Sequence, residues 1–253
     1  MKKRIALILT GTMLMGFVLS ACGDNESTEK KDEKTENSVE TSSNANNRTT
    51  FTVGFDAEYP PYGYMDENGE YTGFDLELAE AVCKLEGWEL VKKPINWDAK
   101  DMELNSGAID CIWNGFTMNG REDEYTFSTP YVDNSQVIVV AENSGINTPE
   151  DLAGKTVGVQ AASAALELLQ SDEKDGQKAL ADTFGALNEF ADYNTAFTEL
   201  QAGALDALAI DIGVANYQIK SRGEGYKILE EGTKVLEIKN GPYLGAEIDR
   251  GRF

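Results

Sequence analysis

Histidine is missing from all 253 residues. Its absence removes Ser-His-Asp and Cys-His nucleophile activation and every zinc site that needs imidazole. Cysteine is scarce: Cys22, Cys83 and Cys111 are too few and too scattered for a disulfide scaffold or a Cys-x-x-Cys metal pair. No metal or cofactor is therefore expected. Basic residues are half as numerous as acidic ones, 22 against 44, for a net charge of -22. Nucleic-acid phosphates would be repelled, so nucleic acid is not an expected partner, and acidity by itself names no other. The apolar run at residues 5–19 is short for a membrane span. What is present is enough apolar side chain, 41% of the total, to build cores for one large domain or two small ones.

Lys2, Lys3 and Arg4 precede the apolar run, giving the charged start and short hydrophobic stretch of a secretory signal. The run ends in Leu19-Ser20-Ala21-Cys22, which resembles a bacterial lipobox, in which the cysteine is diacylated and the signal is cut just before it. Residues 1–21 then read as the signal peptide and Cys22 as the lipidated first residue of the mature chain. Between 23 and 50 the only apolar side chains are Val39 and Ala45, too few to order the segment, so residues 22–50 read as anchor and disordered tether. An anchor plus a tether places a folded domain just outside a membrane.

From Phe51 onward, short apolar strands alternate with amphipathic helices, the pattern of an α/β protein with largely parallel sheets. Strands are expected at 51–55, 88–91 and 109–113. A hairpin is expected at 62–73, with Asn68-Gly69 supplying the positive φ angles of a tight turn. The Asp66-x-Asn68-x-Glu70 spacing is a weaker fit to a calcium loop, lacking the twelfth-position Glu. Asp75 can cap a helix whose Leu76, Leu78, Ala79, Ala81, Val82 and Leu85 share one side. Another helix is expected from about Asp98 to 105–107. Cys83 falls on the first helix and Cys111 on a strand, so a disulfide between them and two buried thiols are both open. After an extended stretch at 135–141 a second set begins. It has strands at 155–160, 187–190, 207–210 and 226–229, and helices from about 163, through 195–201 and through 212–219. Gly154-Lys155-Thr156 is not a phosphate loop, because Pro149 stands where the first glycine is needed and a strand follows. Two α/β lobes with a cleft between them are the inference.

Three segments then carry a resemblance: Tyr59-Pro60-Pro61-Tyr62, Gly73-Phe74-Asp75-Leu76-Glu77-Leu78-Ala79, and Asn114-Gly115-Phe116-Thr117 followed by Arg121-Glu122. In this order and spacing they resemble the polar amino-acid solute-binding proteins of ABC importers, over roughly residues 51–230. The resemblance implies a two-lobed periplasmic-binding-protein-like fold whose hinge closes a central cleft around one amino acid. It also implies a monomer that delivers its ligand to a membrane permease. Lobe 1 would span 51–132 and lobe 2 133–238, with hinge strands near 129–134 and 237–243.

A zwitterion needs an opposite charge or fixed dipole for each of its ends in a partly dry cleft. Arg121 is the candidate for the α-carboxylate, since a guanidinium matches two oxygens with a planar fork, and the resemblance places an arginine at this motif too. The competing reading of Arg121 is a surface pair with Glu122 or Asp123. Asn114, Gly115 and Thr117 would surround the ligand with main-chain groups and a hydroxyl. Gln160, Ser163 and Ala164 lie where a strand meets a helix start, and unpaired amides there favour an anion. The family usually has glycine in this turn, and Ala162 and Ala164 depart from that. The resemblance assigns Asp211 to the ligand's ammonium, with helix capping as the other reading. Asp56 would bind the ammonium or select the side chain, and Tyr59 and Trp97 would sandwich that side chain. Cystine, glutamine and cationic amino acids all suit such a site.

Two expectations remain. Residues 239–253 show no helical period, which reads as a second hinge and a truncated or frame-shifted return to lobe 1, short by about 30 to 40 residues of closing elements. The rivals to transport are an enzyme on the same fold, a lyase or a peptidoglycan-cleaving domain using carboxylates such as Asp56 and Asp211, and a ligand-sensing domain.

Overall fold

Phe51, Val53 and Phe55 alternate along one strand, Thr50–Phe55 (β1), and all three are buried, which turns that face of β1 into the core. The computed structural model describes residues 49–173, 176–223 and 225–229, together with the backbone of Tyr243–Ile248. The lipobox, the tether and the segment expected to form the second hinge up to residue 242 lie outside the described residues.

A small antiparallel sheet follows β1: Glu58–Tyr59 (β2), Gly63–Met65 (β3) and Tyr71–Thr72 (β4). Its turn is not the two-residue Asn-Gly type. Only Gly69 has a positive φ, and the Asp66 carboxylate holds the loop by accepting from the Asn68 and Glu70 amides. Helix α1, Phe74–Glu86, starts two residues earlier than a cap at Asp75 requires. Gly73 is the cap: its φ of 130° and the Tyr62 carbonyl 2.3 Å from where a Cβ would stand leave no room for another residue. Asp75 is therefore inside the helix and fully buried, and its carboxylate accepts from the Tyr131 hydroxyl at 2.8 Å. The buried stripe of α1 is Leu76, Ala79 and Cys83, while Leu85 is 85% exposed. Cys83 and Cys111 sit in one apolar cluster and no disulfide joins them.

Glu89–Pro94 (β5) and Cys111–Thr117 (β6) pair parallel with β1 on either side, linked by a 3₁₀ turn at Trp97–Ala99 and α2, Lys100–Asn105. The chain then crosses through Val132–Asp133 (β7) into the second sheet. That sheet comprises Gln136–Ala141 (β8), Thr156–Gln160 (β9), Ala186–Phe190 (β10), Ala207–Asp211 (β11) and Tyr226–Ile228 (β12), in the order β10-β9-β11-β8-β12. Helices α3 (Ala164–Gln170), α4 (Lys178–Ala181), α5 (Tyr193–Ala202) and α6 (Ile212–Arg222) alternate with these strands. Tyr243–Ile248 (β13) lies between β6 and β7, completing the first sheet as β5-β1-β6-β13-β7. The part of residues 239–253 that is described is thus a strand of the first sheet. Two α/β lobes result, each with its parallel strands ending beside the residues expected to bind ligand.

Candidate functional site

The site is assembled where strands stop. Asp56 follows β1, Gln160 ends β9 and Asp211 ends β11, the position at which open α/β sheets place their ligands. Asn114, Gly115 and Thr117 lie within β6, and Arg121 follows it on a turn.

Across the cleft, Asp56 and Gln160 meet directly: the Gln160 amide donates to Asp56 Oδ2 at 2.7 Å and also to the Ala191 carbonyl at 3.1 Å. Asp56 Oδ1 accepts from the Glu58 amide at 2.8 Å, and the Asp56 amide donates to Asn114 Oδ1 at 2.9 Å. Asn114 therefore locks the loop that carries Asp56. Burial pushes the Asp56 carboxyl up to about 6, against the pull of those two donors.

Arg121 is buried and spans the lobes. Its Nη2 donates to Glu167 Oε1 at 2.5 Å and its Nε to both Glu167 oxygens at 3.2 and 3.1 Å. The guanidinium also donates to the carbonyls of Thr117 and Ala162, both at 3.4 Å, and lies 4.9 Å from the centre of the Phe116 ring. The partner is thus Glu167 of the other lobe, and not Glu122 or Asp123. Thr117 contributes its carbonyl rather than its hydroxyl to this contact, while Gly115, at a φ of 58°, takes a left-handed conformation that interrupts the extended backbone of β6. Trp97 donates its indole N–H to the same Ala162 carbonyl at 3.2 Å. Ala162 holds a φ of 53°, a left-handed conformation that suits glycine, at the turn where the resemblance implies one.

Ser163 and Ala164 start α3. The Ser163 hydroxyl accepts from the Leu166 amide at 3.2 Å and donates to the Gln160 carbonyl at 2.7 Å, so it caps the helix. Asp211 makes no side-chain cap on α6. Its fully buried carboxylate accepts from Asn134 and Gln136, each at 2.5 Å, and from the Tyr59 hydroxyl; burial pushes its pKa up against those donors.

Between the lobes a cavity of about 360 Å³ is lined by Asp56, Glu58, Asp98, Glu103 and Asp192, with Trp97, Ile95, Asn96 and Ala191. Five carboxylates line it and no cation does, although Lys93 Nζ reaches Glu103 from outside at 2.7 Å. Of the expected residues it gathers Asp56 and Trp97. Tyr59 is elsewhere: its ring packs on Tyr62 and Tyr193 at 5.5 and 6.0 Å, so it does not form a sandwich with Trp97, whose ring meets Phe116 edge-on. Asp211 likewise does not line the cavity. Sequence reasoning missed Glu58, Asp98, Glu103, Asp192 and Glu167, and also Lys100, a buried lysine whose ammonium stands 5.2 Å over the Trp97 ring. Burial lowers the Lys100 pKa, with Arg121 adding to the effect and Glu167 opposing it. A lysine three residues after a tryptophan was the available signal.

Two α/β lobes with charged groups converging from both sides of a cleft define a solute-binding protein. The chain belongs to the bacterial extracellular solute-binding proteins, family 3, whose model matches residues 51–211. It is 30% identical over 198 residues to the L-cystine-binding protein TcyJ of Escherichia coli, covering 74% of this chain and 71% of the relative. It is 28% identical to the arginine-binding extracellular protein ArtP of Bacillus subtilis, over 88% of this chain and 78% of that one. Among solved structures, a histidine-bound ABC uptake transporter substrate-binding protein from Streptococcus pneumoniae has a TM-score of 0.72 at 32% identity, covering 80% of both chains. An ancestral arginine-binding protein bound to arginine has a TM-score of 0.69 at 35% identity, covering 81% of this chain and 86% of that one.

Proposed function

We propose that this protein captures a cationic amino acid outside the cell and delivers it to an ABC permease, acting as a binder and not as an enzyme. The observation that carries the cationic choice is the interlobe cavity, lined by five carboxylates with no cation among its lining residues; Glu103 is paired with Lys93, and Asp56, Glu58, Asp98 and Asp192 supply the remaining negative charge. A cationic side chain entering it exchanges water for fixed negative charge. Asp56, rather than the engaged Asp211, is the carboxylate we assign to the incoming positive charge, and the Trp97 ring offers a face for a guanidinium or ammonium. Arg121, with Lys100 nearby, supplies the positive end for the α-carboxylate. Asn114, Gly115, Thr117, Gln160, Ser163 and Ala164 shape and hold these groups.

Binding groups drawn from both lobes favours the closed arrangement, because the ligand's contacts are complete only there. The crossing at residues 129–134 serves as one hinge. Diacylation at Cys22 would keep the monomeric domain at the outer face of the membrane, within reach of the permease.

Thermal unfolding with each amino acid tests the reading: a ligand at a hundred times its dissociation constant adds ~2.7 kcal/mol of stability. We expect the largest shifts from arginine, lysine or ornithine, and none in Arg121→Ala. Equal or larger shifts from cystine or glutamine would overturn the cationic choice, and no shift from any amino acid would overturn the whole reading.

A further inference from the structure

Glu167 has no role in the scheme above, yet it makes the shortest contact to Arg121. It belongs to the first turn of α3, and its side chain is 53% exposed where that of Arg121 is 5% exposed. A guanidinium carries five N–H groups. Here Nε and one hydrogen of Nη2 face Glu167, the other hydrogen of Nη2 faces the Ala162 carbonyl, and one on Nη1 faces the Thr117 carbonyl. One N–H remains. A carboxylate held by an arginine fork takes two parallel N–H groups; the Nε–Nη2 edge already holds a carboxylate, and the Nη1 and Nη2 groups of the other edge face the Thr117 and Ala162 carbonyls.

We propose that Glu167 is an internal competitor for the ligand's α-carboxylate at Arg121, and that it sets how strongly the site distinguishes an amino acid from the amine that lacks that carboxylate. The inference rests on the amino-acid reading given above. A ligand with an α-carboxylate gains the Arg121 fork only by exchanging it with Glu167, so the net gain is the difference between two similar pairs. Half-exposed at the start of a helix, Glu167 can turn into water and be solvated there, which makes the exchange feasible. An amine leaves the Arg121–Glu167 pair intact and uses the acidic cavity alone. Glu167 thereby lowers affinity for the amino acid while leaving the amine unaffected.

Titration calorimetry of the wild-type protein, Glu167→Gln and Glu167→Ala tests this with arginine and agmatine, which is arginine without its α-carboxylate. Both variants should bind arginine about tenfold more tightly than wild type, equivalent to ~1.4 kcal/mol. Agmatine should stay within about twofold of its wild-type affinity. In the double variant Arg121→Ala, Glu167→Gln the arginine gain should vanish. Arginine affinity that is unchanged or weaker in both single variants, or that rises equally for agmatine, would overturn the role of Glu167 while leaving the amino-acid reading in place. If neither wild type nor variant binds arginine or any other amino acid, that reading fails and the Glu167 proposal falls with it.

Discussion

Each lobe ends a strand on an aspartate, Asp56 after β1 and Asp211 on β11, and the two carboxylates are used in opposite ways. Asp211 is engaged within the protein: Asn134 and Gln136 both donate to its Oδ1 and Tyr59 adds a third donor, and it does not line the interlobe cavity. Asp56 also has donors on both oxygens, but it stands at the wall of the interlobe cavity, and one donor comes from the other lobe. A strand-end aspartate is thus a general device for gathering donors. Whether it serves ligand or structure depends on which side of the cleft wall its oxygens face.

The largest expected effect that would break this contrast is on Asp211. Asp211→Ala strands three buried donors at once, and we expect a loss of ~4 kcal/mol in urea unfolding. Asp56→Ala should cost far less stability and instead weaken ligand binding; equal stability losses at the two positions would erase the distinction.

A pH series sharpens it. The Asp56 carboxyl titrates near 6 when folded and near 3.8 when unfolded. The folded state therefore holds its proton where the unfolded state has lost it. Folding is then penalised as pH rises through that window, by ~3 kcal/mol at pH 7, and the penalty is absent below about 4. Asp56→Asn should lack this component, so its stability relative to wild type should rise between pH 4 and 7. A flat difference across that range would contradict the assignment.

The smallest effect concerns the turn that both Arg121 and Trp97 contact. Ala162→Gly relieves a left-handed alanine at some cost in unfolded-chain entropy, and we expect a gain of ~0.5 kcal/mol in thermal or chemical unfolding. Destabilisation would show that the Ala162 methyl, which packs against the cluster of Ile95, Trp97 and Phe116, contributes more than the strain costs.

Most of the strands were legible because their apolar runs are short and bounded by turn residues, and the strand ends located Asp56, Gln160 and Asp211. Arg121 was legible from its motif. Less legible were features decided by neighbours distant in sequence. Asp75 looked like a cap because its type fits one, but the Tyr62 carbonyl demands glycine at 73 and pushes the helix start back. Tyr59 looked like a ligand platform, but it is the donor that closes Asp211 and its ring lies against Tyr62 and Tyr193.

The sequence by itself determined the two sets of alternating elements, the absence of histidine chemistry and the family to which the chain belongs, since periodicity and motifs are local properties. Tertiary structure alone decided that five carboxylates face one cavity, that Glu167 meets Arg121 across 46 positions of chain, and that Asp56 and Asp211 part in role. The physical reason is that charge is felt through space: the partners that set an ionisable group's task come from whichever elements the fold packs beside it.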